Sequence, residues 1–228
     1  MGWLKDIRQF LLPIHCFNCK CQITEASQLF CVTCYSYLPK TDCFKVEHNI
    51  CYNRFVEDGF HLNYVAALFY FEEKSPLKSV MHLLKYQGKT DIGYHFGEQL
   101  GRQINNVNSL QDVDVIIPMP LHQAKFKLRG YNQSNLIAQG IHAITGLLID
   151  FEAVIRLKNT KSQTKMNKIQ RLENVDSAFS WVKDFPKGTH FLVVDDVLTT
   201  GASVQSLITA FGDRNMYKFS VICIGYTR

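Results

Sequence analysis

Past residue 60 the chain is punctuated by short runs in which apolar residues follow one another with little alternation: 64–71 (YVAALFYF), 114–118 (DVIIP), 153–157 (AVIRL), 190–195 (HFLVVD) and 218–226 (KFSVICIGY). Runs of this length, rich in β-branched and aromatic residues, predict strands covered on both faces. Between them the spacing turns helical. Ser75 and Pro76 supply an N-cap and a first-turn proline for a helix carrying Leu77, Val80, Met81, Leu83 and Leu84. A second helix is predicted over 93–105 and a third over 132–145, with Leu136, Ile137, Ile141 and Ile144 inward and Gly146 as its stop. A fourth follows Gly201 with Val204, Leu207, Ile208 and Phe211. Strands alternating with helices predict an α/β fold, a mostly parallel sheet flanked by helices.

The amino-terminal quarter reads differently. Trp3, Leu4, Ile7, Phe10 and Leu11 fall at helical spacing, with no small-residue cleavage site after them. Seven of the eight cysteines precede residue 52. This shift predicts a small module over 1–58 and a main domain over 59–228. With 228 residues, 46% apolar and 20% charged, the chain can bury one full core and one accessory module, but hardly two large domains. The longest apolar run, 64–71, is well short of the roughly 20 residues a membrane helix needs, and Glu72 and Glu73 follow it. The expectation is a cytoplasmic protein with no integral membrane segment.

Two Cys-x-x-Cys pairs, Cys16 with Cys19 and Cys31 with Cys34, stand eleven residues apart. Each pair aims two sulfurs at one point, and two pairs complete the tetrahedral site that zinc favours. Four sulfur ligands leave no open position for water, so such a zinc is structural, and it lets a segment too small for its own core fold. Cys21, Cys43, Cys51 and His15 lie near enough to substitute. Spacing alone leaves open the set Cys16, Cys19, Cys43 and Cys51.

The excess of positive charge is local. Between 121 and 171, nine basic residues (Lys125, Lys127, Arg129, Arg156, Lys158, Lys161, Lys165, Lys168 and Arg171) face only Asp150 and Glu152. A surface of that kind suits an anionic partner such as single-stranded DNA, although the nearby aromatics are limited to Phe126, Tyr131 and Phe151.

The sharpest chemistry lies at 191–203 (FLVVDDVLTTGAS). A buried strand is expected to end at Val194, so that Asp195 and Asp196 emerge at its carboxyl end and Val197, Leu198, Thr199, Thr200 and Gly201 turn into a helix. Ligands of α/β sheets sit at such ends. Gly201 lets backbone N–H groups approach an anion, and the hydroxyls of Thr199, Thr200 and Ser203 add donors beside the positive end of a helix dipole. Two carboxylates would repel that anion, so they are better used accepting hydrogen bonds from hydroxyls or holding Mg²⁺ through water. The ligand implied is a phosphorylated ribose. Neither a Walker A sequence nor G-x-G-x-x-G occurs.

This stretch resembles the phosphoribosyl diphosphate (PRPP) loop of the type I phosphoribosyltransferases: apolar residues, two acids, two apolar residues, then Thr-Thr-Gly. A second stretch, 116–138 (IIPMPLHQAKFKLRGYNQSNLIA), resembles ComF-type competence proteins, in which a strand ends at Pro-x-Pro before a basic loop and Arg-Gly-aromatic-Asn-Gln. Residues Arg156, Thr160, Gln163, Arg171 and Asn174, with Ala178 and Phe179, and the segment LLKYQGK containing Lys85, resemble that family too. The departure is at Cys43 and Cys51, single cysteines where related sequences often carry a second CxxC pair.

The resemblance implies a type I phosphoribosyltransferase-like fold with an amino-terminal zinc module. It implies Asp195 and Asp196 at the ribose hydroxyls, and Val197 to Gly201 with Ser203 around the 5-phosphate. Pro118, Met119, Pro120 and Leu121 would form the pyrophosphate loop, with Lys85, Arg129, Gly130, Asn132 and Gln133 beside the site. Catalysis would displace pyrophosphate at the anomeric carbon through an oxocarbenium-like state, with Mg²⁺ bound to PRPP easing the leaving-group charge. No stretch specifies the acceptor. The resemblance also implies a role in DNA uptake, with single-stranded DNA and the competence helicase or other transformation proteins as partners.

Overall fold

The structure is a computed structural model, which describes residues 14–23, 29–157, 178–212 and 214–228. Residues 3–11, with their helical spacing, and the whole basic run Lys158, Lys161, Lys165, Lys168 and Arg171, together with Thr160, Gln163 and Asn174, lie outside the described residues.

Five strands form a sheet in the order β3 (Tyr64–Tyr70), β9 (Lys218–Tyr226), β8 (His190–Leu198), β4 (Val115–Pro118) and β5 (Leu148–Ile149). All four pairings are parallel. Both faces are covered, and the runs that lacked alternation are buried almost throughout: Phe191 to Val194, and Val221 to Ile224, are each 0% exposed.

The strand at 153–157 departs from expectation. Val154–Arg156 (β6) pairs antiparallel with Phe179–Trp181 (β7) as a separate hairpin, because Ile155 stays exposed and only one face of the ribbon meets the core. Its place at the edge of the sheet is taken by β5, whose two residues are too few to show a pattern. The hairpin packs onto α7 (Ala202–Thr209), where Trp181 Nε1 donates to Leu207 O at 2.9 Å and its ring meets Phe211 edge-on at 4.3 Å.

On the other helical layer, α4 (Asp91–Ile104) lies against α6 (Gln133–Thr145) at backbone contact. Gly93, Gly97 and Gly101 recur every four residues along one face of α4. A Cβ on Gly97 would stand 2.1 Å from Ile137 O, and one on Gly140 would stand 2.1 Å from Tyr94 O. Only glycine permits this approach.

The cysteine-rich segment packs on the β3 edge of the sheet rather than standing apart. β1 (Ile14–His15) and β2 (Gln22–Ile23) form an antiparallel ribbon, followed by α1 (Val32–Ser36) and α2 (Ile50–Glu57). Tyr70 N donates to Pro39 O at 2.7 Å and Thr41 N to Leu68 O at 3.0 Å, which closes the open edge of β3. Asn49 caps α2 and sends its amide to Val65 O at 2.8 Å.

At the amino end of the sheet, buried His190 bridges Asp112 Oδ1 and Ser220 Oγ, both at 2.8 Å. His190 and Ser220 are 1% and 0% exposed, so this pair ties strand ends together out of reach of a substrate, while Asp112 is half exposed and also holds Lys218. No helix among the described residues is long and apolar enough to cross a membrane.

Candidate functional site

The chain leaves β8 through α7 toward β9, and leaves β4 through α5 (Gln123–Arg129) and α6 toward β5. The two crossovers therefore diverge. The crevice at the carboxyl ends of β4 and β8 is the switch point of the sheet, where ligands of this architecture bind.

Strand β8 runs further than its apolar residues. Val197 and Leu198 still pair with Gly225 and Tyr226, because β9 is equally long and continues the ladder. Asp195 and Asp196 thus sit within the strand, ahead of its last two residues, and the bend is shortened to Thr199, Thr200 and Gly201. Leu198 is buried, while Thr199, Thr200 and Ser203 are exposed at the start of α7. Gly201 is left-handed, with φ at +78°, and a Cβ there would meet Phe55 Cε1 at 2.9 Å. Phe55 belongs to α2, so the cysteine-rich segment forms one wall of the bend, and Gln205 Nε2 on α7 donates to Asp58 Oδ2 at 3.0 Å.

Neighbouring residues of a strand project to opposite faces, and the two acids have different partners. Lys85, in the last turn of α3 (Pro76–Tyr86), holds Asp196 at 2.8 Å. Ser134 Oγ donates to Asp195 Oδ1 at 3.2 Å, as does Asp196 N at 2.8 Å. Burial, and then the adjacent Asp196 carboxylate, push Asp195 up to about 7, against the pull of these donors and of Lys85. Asp195 is thus poised near neutrality. Arg156 on β6 stands over the Phe179 ring and within electrostatic reach of Asp195.

The Pro118 to Leu121 loop is fixed beside the acids. Met119 N donates to Val194 O at 2.8 Å, and Asn132, which caps α6, donates from Nδ2 to Met119 O at 2.9 Å. Arg129 ends α5, lies 5.2 Å over the Tyr86 ring, and donates from Nη1 to Gln133 Oε1 at 2.9 Å. The Tyr131 hydroxyl donates to Leu84 O, so the link between α5 and α6 is tied to the end of α3. The structure therefore brings Lys85, Arg129, the Pro118 loop and the Asp195–Asp196 bend together. Lys125 and Lys127 lie exposed on α5, a helix with no buried residue, where a basic loop was expected.

In the amino-terminal segment, the sulfurs of Cys16, Cys19, Cys21 and Cys31 lie within 4.8 Å of one another. Cys19 and Cys31 are 3.6 Å apart, near the edge of about 3.8 Å that a tetrahedral ZnS₄ centre with 2.3 Å bonds requires. This group could hold zinc. Cys34 stands beside it: its N–H donates to Cys31 Sγ at 3.4 Å and its Sγ accepts from Asn18 Nδ2 at 3.3 Å. The Asn18 amide favours its thiolate, yet burial and the sulfurs of Cys19, Cys31 and Cys16 push Cys34 up to about 12. Hydrogen bonds with Cys19 and Cys31 push Cys21 up to about 12 as well. Five crowded thiols cannot ionise together without a cation. Cys43 and Cys51 pair with each other, 3.4 Å apart and buried, and join no metal-type group among the described residues.

No family model matches the chain. The DNA utilization protein YhgH of Escherichia coli (strain K12) is 32% identical over 136 residues, 58% of this chain and 59% of that protein. Competence protein F of Haemophilus influenzae is 28% identical over 138 residues, 58% of this chain and 60% of that protein. The match thus spans about three fifths of the length of each of these relatives. Competence protein ComFC of Bacillus subtilis is 22% identical over 195 residues, 83% of this chain and 74% of that protein. Among solved structures, the glutamine PRPP amidotransferase of B. subtilis covers 62% of this chain and 30% of its own, at 17% identity and a TM-score of 0.41. A hypoxanthine phosphoribosyltransferase of Staphylococcus aureus covers 69% and 83%, at 16% identity and a TM-score of 0.35. The chain is thus a homologue of proteins named DNA utilization protein YhgH, Competence protein F and Competence protein ComFC.

Proposed function

We propose that the protein is a ComF-like, PRPP-binding protein of the phosphoribosyltransferase type that serves DNA uptake. The observation that supports this best is the acid pair Asp195–Asp196 at the switch point, directly ahead of a glycine-centred bend with exposed Thr199 and Thr200. The N–H groups entering α7, with the hydroxyls of Thr199, Thr200 and Ser203, would take the 5-phosphate. Asp195 and Asp196 are acceptors that suit the ribose hydroxyls, and the Pro118 to Leu121 loop would face the diphosphate. Mg²⁺ would arrive with the diphosphate, be held through water by the acid pair, and neutralise charge as that group departs. Lys85 keeps one acid from repelling the incoming anion. A Mg-dependent transferase working on an unknown nitrogen acceptor is favoured as the second reading by the intact acid pair.

Calorimetry with PRPP and Mg²⁺ tests the site. Each carboxylate hydrogen bond contributes about 1.5–3 kcal/mol, so Asp195→Asn with Asp196→Asn should weaken binding by about 100-fold or more. Because Asp195 ionises near pH 7, wild-type affinity should rise from pH 6 to 8, and the double variant should lack that rise. Unchanged affinity in the variant refutes the ribose assignment. Pyrophosphate release on the same sample separates the two readings: binding without release supports the accessory role, and release with one nitrogen acceptor supports the enzyme.

The DNA half has its own test. Affinity for a short single strand should fall steeply as salt rises from 50 to 200 mM, because Lys125, Lys127 and the other basic residues would displace counterions from its phosphates. A flat response removes those contacts from the account.

A further inference from the structure

Five cysteine sulfurs crowd a place where a tetrahedral zinc would take four. Cys16, Cys19 and Cys31 belong to either choice of ligands, so the fourth position falls to Cys21 or Cys34 and the other thiol is left over. The two differ in their surroundings. Cys34 is buried, its Sγ accepts from Asn18 Nδ2 at 3.3 Å, and its N–H donates to Cys31 Sγ. An amide donor aimed at a sulfur favours its metal-bound thiolate form. Cys21 is exposed.

The position of Cys21 is built rather than incidental. After Cys19 the chain turns back through Lys20, which is held in the left-handed region at φ +63°, uncommon for a residue other than glycine. Lys20 N donates to Cys16 O at 3.0 Å and Cys16 N to Cys21 O at 2.8 Å, and these bonds return Cys21 to the cluster. The sulfurs of Cys21 and Cys31 lie within 4.8 Å of each other. A disulfide brings two sulfurs to about 2.05 Å, so a modest turn of the two side chains would join them. Of the eight cysteines only Cys19 and Cys21 are exposed, while Cys43, Cys51 and Cys223 are buried beyond the reach of a solute. Cys19 is a ligand in either arrangement. Cys21 is therefore the accessible thiol that the metal can leave free.

We propose that the cluster is a thiol–disulfide switch in which Cys21 admits a small disulfide such as oxidised glutathione and Cys31 resolves it, with loss of the metal. Cys21 Sγ gives its proton to water and attacks one sulfur of the incoming disulfide, whose S–S bond breaks to release one thiolate. Cys31 Sγ then leaves the metal and attacks Cys21 Sγ, which forms the internal disulfide and expels the second thiolate. Two cysteines have lost two electrons, and the small disulfide has become two thiols once each thiolate takes up a proton. Cys16, Cys19 and Cys34 remain, three sulfurs where the closed site needs four. The disulfide also takes from Cys34 N the thiolate that caps α1. Phe30, next to Cys31, packs on Phe96 of α4, so the segment loosens where it meets the helical layer. The switch is independent of what the crevice binds.

The test loads the full-length protein with zinc, adds oxidised glutathione, follows metal release with a chromophoric chelator, and maps the cysteine pairs by alkylation and mass spectrometry. Zinc release together with a Cys21–Cys31 disulfide, both reversed by dithiothreitol and fresh zinc, supports the switch. Cys21→Ser, whose zinc content and thermal melting are measured first, should release the metal at least about tenfold more slowly, because the entry thiol is gone. A folded, zinc-loaded variant that releases as fast as the wild type overturns the proposal. So does glutathione carried on Cys21 with the zinc retained, and so does a disulfide that omits Cys21. A Cys21→Ser protein unable to hold zinc overturns it as well, since Cys21 would then be a required ligand and not the spare. A wild type that takes up no zinc, or that oxidised glutathione leaves unchanged, has no such switch.

Discussion

Gly140→Ala is expected to lower the thermal midpoint by about 2–8 °C and to weaken binding at the crevice, although the substitution lies outside it. An alanine in the middle of a helix normally stabilises by about 1 kcal/mol relative to glycine. Here the added methyl would stand 2.1 Å from Tyr94 O and 2.8 Å from Glu98 N. Both atoms are helix backbone, so no side chain can swing away, and α4 and α6 must separate along their contact. Overpacking of this kind costs about 1–3 kcal/mol or more, which outweighs the helix-propensity gain. The displacement travels because the same helix begins with the Asn132 cap and Ser134, the groups that hold Met119 and Asp195. Gly146→Ala is the control. That position, unlike Gly140, is left-handed, at φ +73°, and has nothing within 4 Å of the added carbon, so only local strain is expected and the crevice should be untouched. Equal effects of the two substitutions on ligand affinity would mean that the approach of α4 to α6 does not position the site.

The contrast between these glycines also marks what a sequence can disclose. The long central strands were legible because burial on both faces writes an uninterrupted apolar run, as at Phe191 to Val194 and Val221 to Ile224. β5 was not, because two residues carry no period, and the run at 153–157 was apolar enough to pass for a sheet strand although Ile155 faces outward. α5 was read as a loop because a helix with no buried residue has no face for periodicity to report. At the crevice, the acids and the Thr-Thr-Gly bend were visible as a local pattern. Their partners were not. Lys85 meets Asp196, Ser134 meets Asp195 and Phe55 walls Gly201 across separations that only the folded sheet closes. The resemblance named Arg129 and set Gln133 beside the site, but that Arg129 lies over Tyr86 and donates to Gln133 emerges only from the packing around them. For the thiols, spacing paired Cys31 with Cys34, whereas the fold bends the chain after Cys19 so that Cys21 also reaches the cluster.

That fifth sulfur gives the largest expected effect. Cys16→Ser, Cys19→Ser or Cys31→Ser should each abolish stoichiometric zinc, because these three sulfurs are common to either choice of fourth ligand. Cys21→Ser or Cys34→Ser alone should keep one equivalent with weakened affinity, since the remaining thiol lies beside the same three, and only the double variant should lose the metal. Structural zinc in small peptides contributes about 10–16 kcal/mol to folding, far more than the few apolar side chains of this segment can supply. Losing it should therefore free the segment from β1 to α1. Hydrogen exchange should then speed up at Cys16 N and Phe17 N, which are bonded to Cys21 O and Leu29 O at 2.8 and 3.0 Å. The loosening has a route toward the crevice, because Phe30 packs on Phe96 and the same segment continues into α2, whose Phe55 walls Gly201. The central strands β8 and β9, buried on both faces and paired over eight positions, should keep their protection. The measurement is metal analysis of each variant together with exchange mapped along the chain. Full zinc retained in both Cys16→Ser and Cys31→Ser would place the metal on other ligands. Zinc lost with no change in exchange at residues 16 and 17 would show that the hydrophobic contacts of the segment, rather than its sulfurs, hold it against the sheet.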